Sequence, residues 1–361
     1  MSRPVLIMAG GTGGHVFPAL ALARQLRRQS LDVVWLGTRR GLEARVVPAE
    51  PIPVEWRSVG GVRGKGSLTL LAAPFRLAWA LMQALRVMWR HRPLAVVGLG
   101  GFVTGPGGVA AWLARRPLII HEQNAVAGFT NRCLAHLAEE VLEAFPGSFG
   151  PRVRARVIGN PVRQEITAIE PPATRFAERT GPIRVLVIGG SQGATRLNTV
   201  VPYALARLGT TSSLSVRHQA GARWHEAALR NYETAGARAE VTPFIEDMAE
   251  AYAWADLVIC RSGALTISEL AASGLPAILV PFPAATDDHQ TANARFLVSA
   301  GAAVLIPDRE LTAERLAQEL LRLTASRATL AAMAGRAREL ARPQATEEFA
   351  RACLDVAGSA A

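Results

Sequence analysis

The chain has 361 residues, half of them hydrophobic and 19% charged, which excludes a peptide hormone or a disordered protein and predicts two domains with cores of their own. Residues 1–163 carry 20 Arg and Lys65 against 8 acidic residues, a net +13, whereas residues 164–361 carry 19 Arg against 21 acidic residues, a net −2. The basic half predicts a negatively charged partner, which can be nucleic acid, anionic lipid or a phosphorylated substrate.

Short apolar runs that lead into glycine-rich turns and then into helix-like stretches recur along the chain, which predicts parallel α/β units. A glycine-loop unit of this kind occurs at residues 5–15 and again at 185–194, so we expect two similar domains in tandem. The clearest predicted strands are residues 5–8, 33–36, 95–98, 118–121, 141–144, 185–188, 257–260 and 277–280.

The apolar run at residues 5–9 turns directly into glycines, which does not match a secretory signal peptide. The longest uncharged stretch, residues 94–114, contains six glycines and Pro106, so we expect a strand, a loop and a helix rather than a membrane span. The widely spaced Cys133, Cys260 and Cys353 predict neither a disulfide framework nor a zinc site. Together these features favour a protein that stays in a reducing cytosol.

Residues 75–90 predict a helix whose polar side chains lie on one narrow stripe and whose remaining circumference is apolar. The polar residues are Arg76, Gln83, Arg86 and Arg90. Two interpretations stay open at this point: a helix buried beside a sheet, and a helix that dips into a membrane surface. The net charge of the first half favours the membrane.

Prolines at positions 161, 171, 172 and 182 interrupt any regular element, so a linker is expected there. We therefore predict one domain over residues 1–163 and a second over residues 164–343. Pro343 breaks an Ala- and Arg-rich helical pattern that residues 344–361 resume, and this last helix is expected to cross back and complete the first domain.

Glycine loops between a strand and a helix suit phosphate, because backbone N–H groups converge there and no Cβ obstructs the anion. Candidate loops are residues 10–14, 98–108, 189–193 and 261–269. None of them fits the dinucleotide fingerprint, and residues 60–66 lack the spacing and the Ser or Thr of a P-loop. Several such loops at the ends of parallel strands predict a nucleotide-linked substrate.

Motifs along nearly the whole chain resemble, in order, those of the MurG-type enzymes of glycosyltransferase family 28, which are bacterial UDP-GlcNAc:lipid I N-acetylglucosaminyltransferases. They are residues 10–19, 64–66, 100–106, 121–124, 159–163, 189–193, 261–266 and 287–290. The resemblance implies an α/β protein of the GT-B fold, with two Rossmann-like domains whose parallel sheets face a central cleft. The first domain would receive lipid I and the second UDP-GlcNAc, and the product would be lipid II for peptidoglycan synthesis.

The resemblance also implies which residues contact the substrates. On the donor side, Glu269 would accept hydrogen bonds from both ribose hydroxyls, and Ile245 would contact the uracil through its backbone. Ser191 would lie near the diphosphate, and Arg163 and Gln290 near the sugar or phosphate. The remaining expected contacts are Ala264, Leu265, Thr266, Ile267 and Ser268 on the donor side, and Thr12, Gly13, Gly14 and Asn124 on the acceptor side.

An inverting glycosyl transfer needs a base for the acceptor hydroxyl and stabilisation of the departing UDP. His15 is the candidate base, or a contact to the acceptor diphosphate, because imidazole titrates near neutral pH. His121 and Glu122 are competitors for the role of base. The chain contains no Asp-x-Asp, so we predict no bound metal, and no cofactor is implied.

By the same resemblance the protein would sit peripherally on the cytoplasmic face of the inner membrane, bind its anionic surface, and work with other cell-wall synthesis proteins in growth and division. A rival interpretation is a related nucleotide-sugar transferase with another acceptor. A second rival is a nucleic-acid-binding protein. The charge allows this second rival, but the lack of basic stretches interleaved with aromatic residues disfavours it.

Overall fold

The computed structural model describes residues 3–39, 41–57, 73–190, 193–209, 213–285 and 288–359. The chain divides into two units, which are residues 1–162 together with 343–361, and residues 163–342. Each unit is built around one parallel sheet. The structure confirms the predicted α/β class with two Rossmann-like sheets.

The sheet of the first unit has seven parallel strands in the order β3-β2-β1-β4-β5-β6-β7. They are β1 Val5–Ala9, β2 Val33–Gly37, β3 Val54–Trp56, β4 Ala95–Gly100, β5 Leu118–Glu122, β6 Glu140–Glu143 and β7 Arg156–Val157. The helices are α1 Gly13–Arg28, α2 Glu43–Val46, α3 Ala73–His91, α4 Thr104–Leu113 and α5 Phe129–Leu134. Because the strands are parallel, the loops that follow them share one edge of the sheet.

Both faces of this first sheet are covered. Every residue of β1 is buried, with Val5 and Ile7 on one face and Leu6 and Met8 on the other. The last helix of the chain, α15 (Ala345–Ser359), belongs to this unit and packs against α1 and β4. Its Phe349 is fully buried in the same core cluster as Val5 and Ile7.

The sheet of the second unit has six parallel strands in the order β10-β9-β8-β11-β12-β13. They are β8 Ile183–Ile188, β9 Leu214–Gln219, β10 Glu240–Thr242, β11 Leu257–Cys260, β12 Ala277–Leu279 and β13 Ala303–Leu305. The helices are α6 Gln164–Thr167, α7 Pro172–Ala177, α8 Thr195–Leu208, α9 His225–Ala235, α10 Met248–Trp254, α11 Ala264–Ser273, α12 His289–Ser299, α13 Ala313–Thr324 and α14 Arg327–Glu339. Its core joins β8 and β11 to the apolar faces of α8, α13 and α14.

Helix α3 has two different apolar faces. Ala84, Val87 and Met88 are buried against the first sheet, whereas Phe75 is 80% exposed and Trp89 is 61% exposed. The interpretation of a helix beside a sheet therefore holds for the inner face, while the outer face leaves large apolar side chains uncovered. Among the residues described, no helix combines the length and apolarity needed to cross a membrane.

Candidate functional site

The loop that follows β1 turns the chain sharply into α1. Gly11 has a φ of +93°, in the left-handed region that favours glycine, and Thr12 is the N-cap residue of α1. His15 is half-buried in the first turn of this helix, with its Nδ1 atom 3.5 Å from the hydroxyl of Thr12. The predicted acceptor residues Thr12, Gly13 and Gly14 therefore adjoin the candidate base at the carboxyl end of β1.

A second glycine turn, after the neighbouring strand β4, packs directly against this loop. Gly100 and Gly101 have φ angles of +115° and +87°, and a Cβ atom on Gly101 would overlap the carbonyl of Gly10. A Cβ atom on Gly100 would lie 2.7 Å from both Cδ2 and Nε2 of His15. Glycine is therefore required at both positions, and one edge of the His15 imidazole lies against the bare backbone of Gly100.

His121, a competitor for the role of base, lies in the interior of the first unit. Its Nε2 donates to the carbonyl of Gly159 at 2.9 Å, its Nδ1 accepts from the amide of Gln123 at 3.1 Å, and its ring stacks on Phe349. Burial lowers the pKa of this imidazole to about 4. A fully buried, neutral imidazole with both nitrogens engaged is a structural group, so this geometry does not favour His121 as the base.

Glu122, the second competitor, is nearly fully buried at the end of β5. Its Oε1 accepts from the backbone N–H and the side-chain amide of Asn124, at 3.0 and 3.1 Å. Its Oε2 accepts from the N–H of Gly128 at 3.1 Å and the amide of Asn131 at 2.8 Å. Four donors occupy the carboxylate, so Glu122 is placed to orient Asn124 rather than to remove a proton, and the geometry favours His15 as the base.

In the second unit, the predicted donor helix α11 follows β11 through a short turn. Gly263 is the N-cap residue of α11, and as a glycine it has no side chain to cap this end. Its N-terminal N–H groups and the helix dipole therefore suit an anion. Ala264 and Ile267 are buried, Leu265 and Thr266 are half-buried, and the hydroxyl of Ser268 donates to the carbonyl of Ala264.

Glu269 lies in the second turn of α11, where its side chain is 16% exposed. Its Oε1 is 3.3 Å from Nη2 of Arg163, and its Oε2 accepts from the hydroxyl of Tyr252 at 3.0 Å. Burial raises the pKa of the Glu269 carboxyl, while Arg163 and Tyr252 act in the opposite direction. The structure thus brings together two predicted donor residues, Arg163 and Glu269, and adds Tyr252, which no sequence motif had indicated.

The other predicted donor residues follow different strands of the same sheet. Ile245 is half-buried in the loop between β10 and α10. Gln290 lies in the first turn of α12, and its Oε1 accepts from the N–H of Phe282 at 2.9 Å, so it shapes the loop after β12. Ser191 lies outside the described residues. Within the described ranges, no group of three His, Cys, Asp or Glu side chains is placed to hold a metal ion.

Two family models match this chain. The model of the glycosyltransferase family 28 N-terminal domain matches residues 5–143, and that of the C-terminal domain matches residues 184–350. This chain belongs to glycosyltransferase family 28. Its relatives in this family include a protein of Alkalilimnicola ehrlichii that is 60% identical over 99% of this chain and 100% of its own length. That relative is named UDP-N-acetylglucosamine--N-acetylmuramyl-(pentapeptide) pyrophosphoryl-undecaprenol N-acetylglucosamine transferase. A Nitrosococcus oceani protein of the same name is 56% identical over 99% of both chains.

Comparison with solved structures agrees with the sequence comparison. The crystal structure of Acinetobacter baumannii MurG is similar to this chain with a TM-score of 0.87 and 42% identity, covering 98% of this chain and 100% of that one. The calicheamicin glycosyltransferase CalG4 has a TM-score of 0.71 at 17% identity, covering all of both chains. At that identity the second likeness shows a shared fold alone. The predicted family is confirmed, and the chain is a glycosyltransferase.

Proposed function

We propose that this enzyme transfers GlcNAc from UDP-GlcNAc to the MurNAc 4-hydroxyl of lipid I, with inversion at the anomeric carbon, to form lipid II in peptidoglycan synthesis. The observation that carries the proposal is the full-length 60% identity to a relative named for this transfer. The geometry of both units supports it, because each predicted substrate loop in the described residues follows the carboxyl end of a parallel strand.

The second unit binds the donor. The ribose hydroxyls of UDP-GlcNAc donate to the Glu269 carboxylate, which Arg163 and Tyr252 hold in place. The diphosphate lies at the N-terminus of α11, where the first backbone N–H groups and the helix dipole stabilise negative charge. This charge grows as the bond to UDP breaks, so the same helix end stabilises the leaving group in the transition state.

The first unit binds the acceptor and removes its proton. His15 takes the proton of the MurNAc 4-hydroxyl while that oxygen attacks the anomeric carbon of GlcNAc, and UDP departs with the electron pair of the broken C–O bond. The loop residues Thr12, Gly13 and Gly14 offer backbone N–H groups to the acceptor diphosphate. Asn124, fixed by Glu122, supplies a further polar contact to the acceptor.

Transfer itself is tested with radiolabelled UDP-GlcNAc and lipid I. We expect labelled lipid II to form with UDP-GlcNAc and much less product with UDP-glucose or UDP-GalNAc in separate reactions. If the enzyme forms no product with lipid I but does so with another lipid-linked or soluble acceptor, the acceptor assignment is wrong. The family assignment would not be affected by that result. Equal use of all three donors would contradict the donor assignment.

The acceptor is lipid-linked, and we place the enzyme peripherally on the anionic cytoplasmic face of the membrane. Support comes from α3, on which Phe75, Trp79 and Trp89 are exposed, and from α4, which contacts α3 and exposes Trp112. The exposed Arg86 belongs to the same helix, within a half-chain of net charge +13. Apolar side chains flanked by cations suit the boundary between headgroups and acyl chains. Contact with other cell-wall synthesis proteins stays a prediction.

Binding to vesicles of phosphatidylglycerol and phosphatidylcholine, measured by co-sedimentation, should therefore have two components. The double variant Phe75→Ser/Trp79→Ser should lose about tenfold in affinity at every salt concentration, because apolar insertion is not screened. Arg86→Glu should lose about five- to tenfold in low salt only, since each cation near the surface contributes about 1 kcal/mol.

Matched controls for this experiment lie in the second unit. Tyr203→Ser and Arg295→Glu alter an exposed aromatic residue and an exposed Arg of α8 and α12, and neither should change vesicle binding. If the controls weaken binding as much as the α3 variants do, the proposed membrane surface is wrong. If the wild-type protein does not bind the vesicles at low salt, the proposed peripheral location itself is wrong.

A further inference from the structure

Glu43, at the start of α2, is a fully buried carboxylate in the first unit. Among the described residues, no Lys, Arg or His forms an ion pair with it. Its charge is met instead by three donors: the N–H of Gly11 at 2.9 Å, and the N–H and hydroxyl of Thr38 at 3.0 and 2.7 Å. A buried charge is costly without such donors, so this site is built around the carboxylate.

Three glycines from three separate segments surround this carboxylate. A Cβ atom on Gly10 or on Gly41 would overlap the carboxylate atoms, and a Cβ atom on Gly37 would come within 3.0 Å of Cγ of Glu43. Gly10 precedes the acceptor loop, Gly37 ends β2 and Gly41 precedes α2. The absence of side chains at these positions therefore makes room for Glu43 on the inner side of the loop.

Leu42 and Glu43, at the start of α2, bond to both backbone polar groups of Gly11. The N–H of Gly11 donates to Oε2 of Glu43, and the carbonyl of Gly11 accepts from the N–H of Leu42 at 3.2 Å. Gly11 is the residue with a φ of +93° that turns the chain into α1. Because Thr12 and His15 follow within one helical turn, any change at Gly11 shifts the candidate base and the backbone donors of the loop together.

We propose that Glu43 is a positioning residue for the transfer reaction: it fixes the acceptor loop, and through it His15, without touching substrate. This inference rests on the proposed function, in which that loop binds the acceptor. Gly10 then leaves room for the Glu43 carboxylate and Gly11 donates a hydrogen bond to it, and both glycines also admit the acceptor diphosphate.

The test is Glu43→Gln, which keeps the size of the side chain but turns an amide NH₂ toward one of the N–H donors. We expect kcat/KM for lipid I to fall about tenfold, mainly through kcat, with UDP-GlcNAc affinity unchanged. Hydrogen exchange should speed up in the peptide that contains Gly11 or in the one that contains Thr38, because the N–H that faces the amide NH₂ loses its acceptor. Thr38→Val, which removes one donor and leaves the carboxylate, should show a smaller fall of about threefold.

The matched control is Val47→Ala, which removes buried methyl groups just after α2 and makes no hydrogen bond to the loop. If Val47→Ala lowers turnover as much as Glu43→Gln at an equal loss in Tm, Glu43 has only a structural role and the proposal fails. If Glu43→Gln does not fold, Thr38→Val takes its place in the test. The proposal is then wrong if Thr38→Val turns over lipid I as fast as the wild type. Failure of the proposed function is separate, because then the wild-type enzyme itself forms no lipid II.

Discussion

His15→Ala is expected to lower kcat by about 10²-fold or more, the usual contribution of a general base. The affinity for UDP-GlcNAc should barely change, because His15 belongs to the first unit and the donor residues belong to the second. Steady-state transfer to lipid I gives kcat, and calorimetric titration with UDP-GlcNAc gives the donor affinity. The pH–rate profile should also lose the limb that reports the base, which separates proton removal from a contact to the diphosphate.

His91→Ala is the matched control for this variant. His91 is a half-buried histidine of the same unit, at the end of α3, that bonds to Glu55 at 2.8 Å. We expect its kcat to stay near that of the wild type with a soluble acceptor. If His15→Ala keeps the wild-type kcat and pH profile, the base lies elsewhere and His15 is a structural residue of the α1 N-terminus.

Glu269→Ala is expected to weaken UDP-GlcNAc binding by about 1–3 kcal/mol, or roughly 5- to 150-fold, the range for losing hydrogen bonds to a charged group. The variant removes the proposed acceptor of both ribose hydroxyls and leaves Arg163 and Tyr252 without their shared partner. Calorimetric titration with UDP-GlcNAc and with UDP alone measures the effect. Both ligands should lose the same amount, because both carry the ribose.

Glu319→Ala provides the comparison for a buried glutamate of the same unit. Glu319 lies on α13, where it pairs with Arg315 and Arg322, and its loss should lower stability without changing donor affinity. Wild-type affinity in a folded Glu269→Ala variant would remove this residue from the ribose site. If the variant loses affinity for UDP-GlcNAc but not for UDP, Glu269 contacts the GlcNAc sugar rather than the ribose.

The strands that could be predicted from the sequence are the inner ones. All eight predicted strands occur within two residues of their expected bounds, because strands of a parallel sheet are buried on both faces and appear as continuous apolar runs. Five strands were missed. β9 carries Arg217 and Gln219, β10 begins with Glu240, and β3, β7 and β13 are short strands at the edges of their sheets. Edge strands need little apolar surface, so no run marks them.

The candidate site was predictable where it is local in sequence. Glycine loops after strands and the α11 turn leave a pattern that can be recognised in a few residues. Glu43 and Tyr252 leave none, because each contacts a segment that the chain brings near only after folding. The sequence also could not show that Glu122 accepts four hydrogen bonds, which is what disfavours it as the base.

The first unit is discontinuous in the chain, and this sets an order for biosynthesis. Residues 163–342 form the second unit as one stretch, whereas α15 returns to the first core with Phe349 stacked on His121. A ribosome must therefore synthesise the whole second unit before the first unit can complete its core. The usual order of folding during translation, in which the N-terminal domain is finished first, is reversed here. Until α15 emerges, the nascent chain carries an apolar core that lacks Phe349 and its neighbours on this helix.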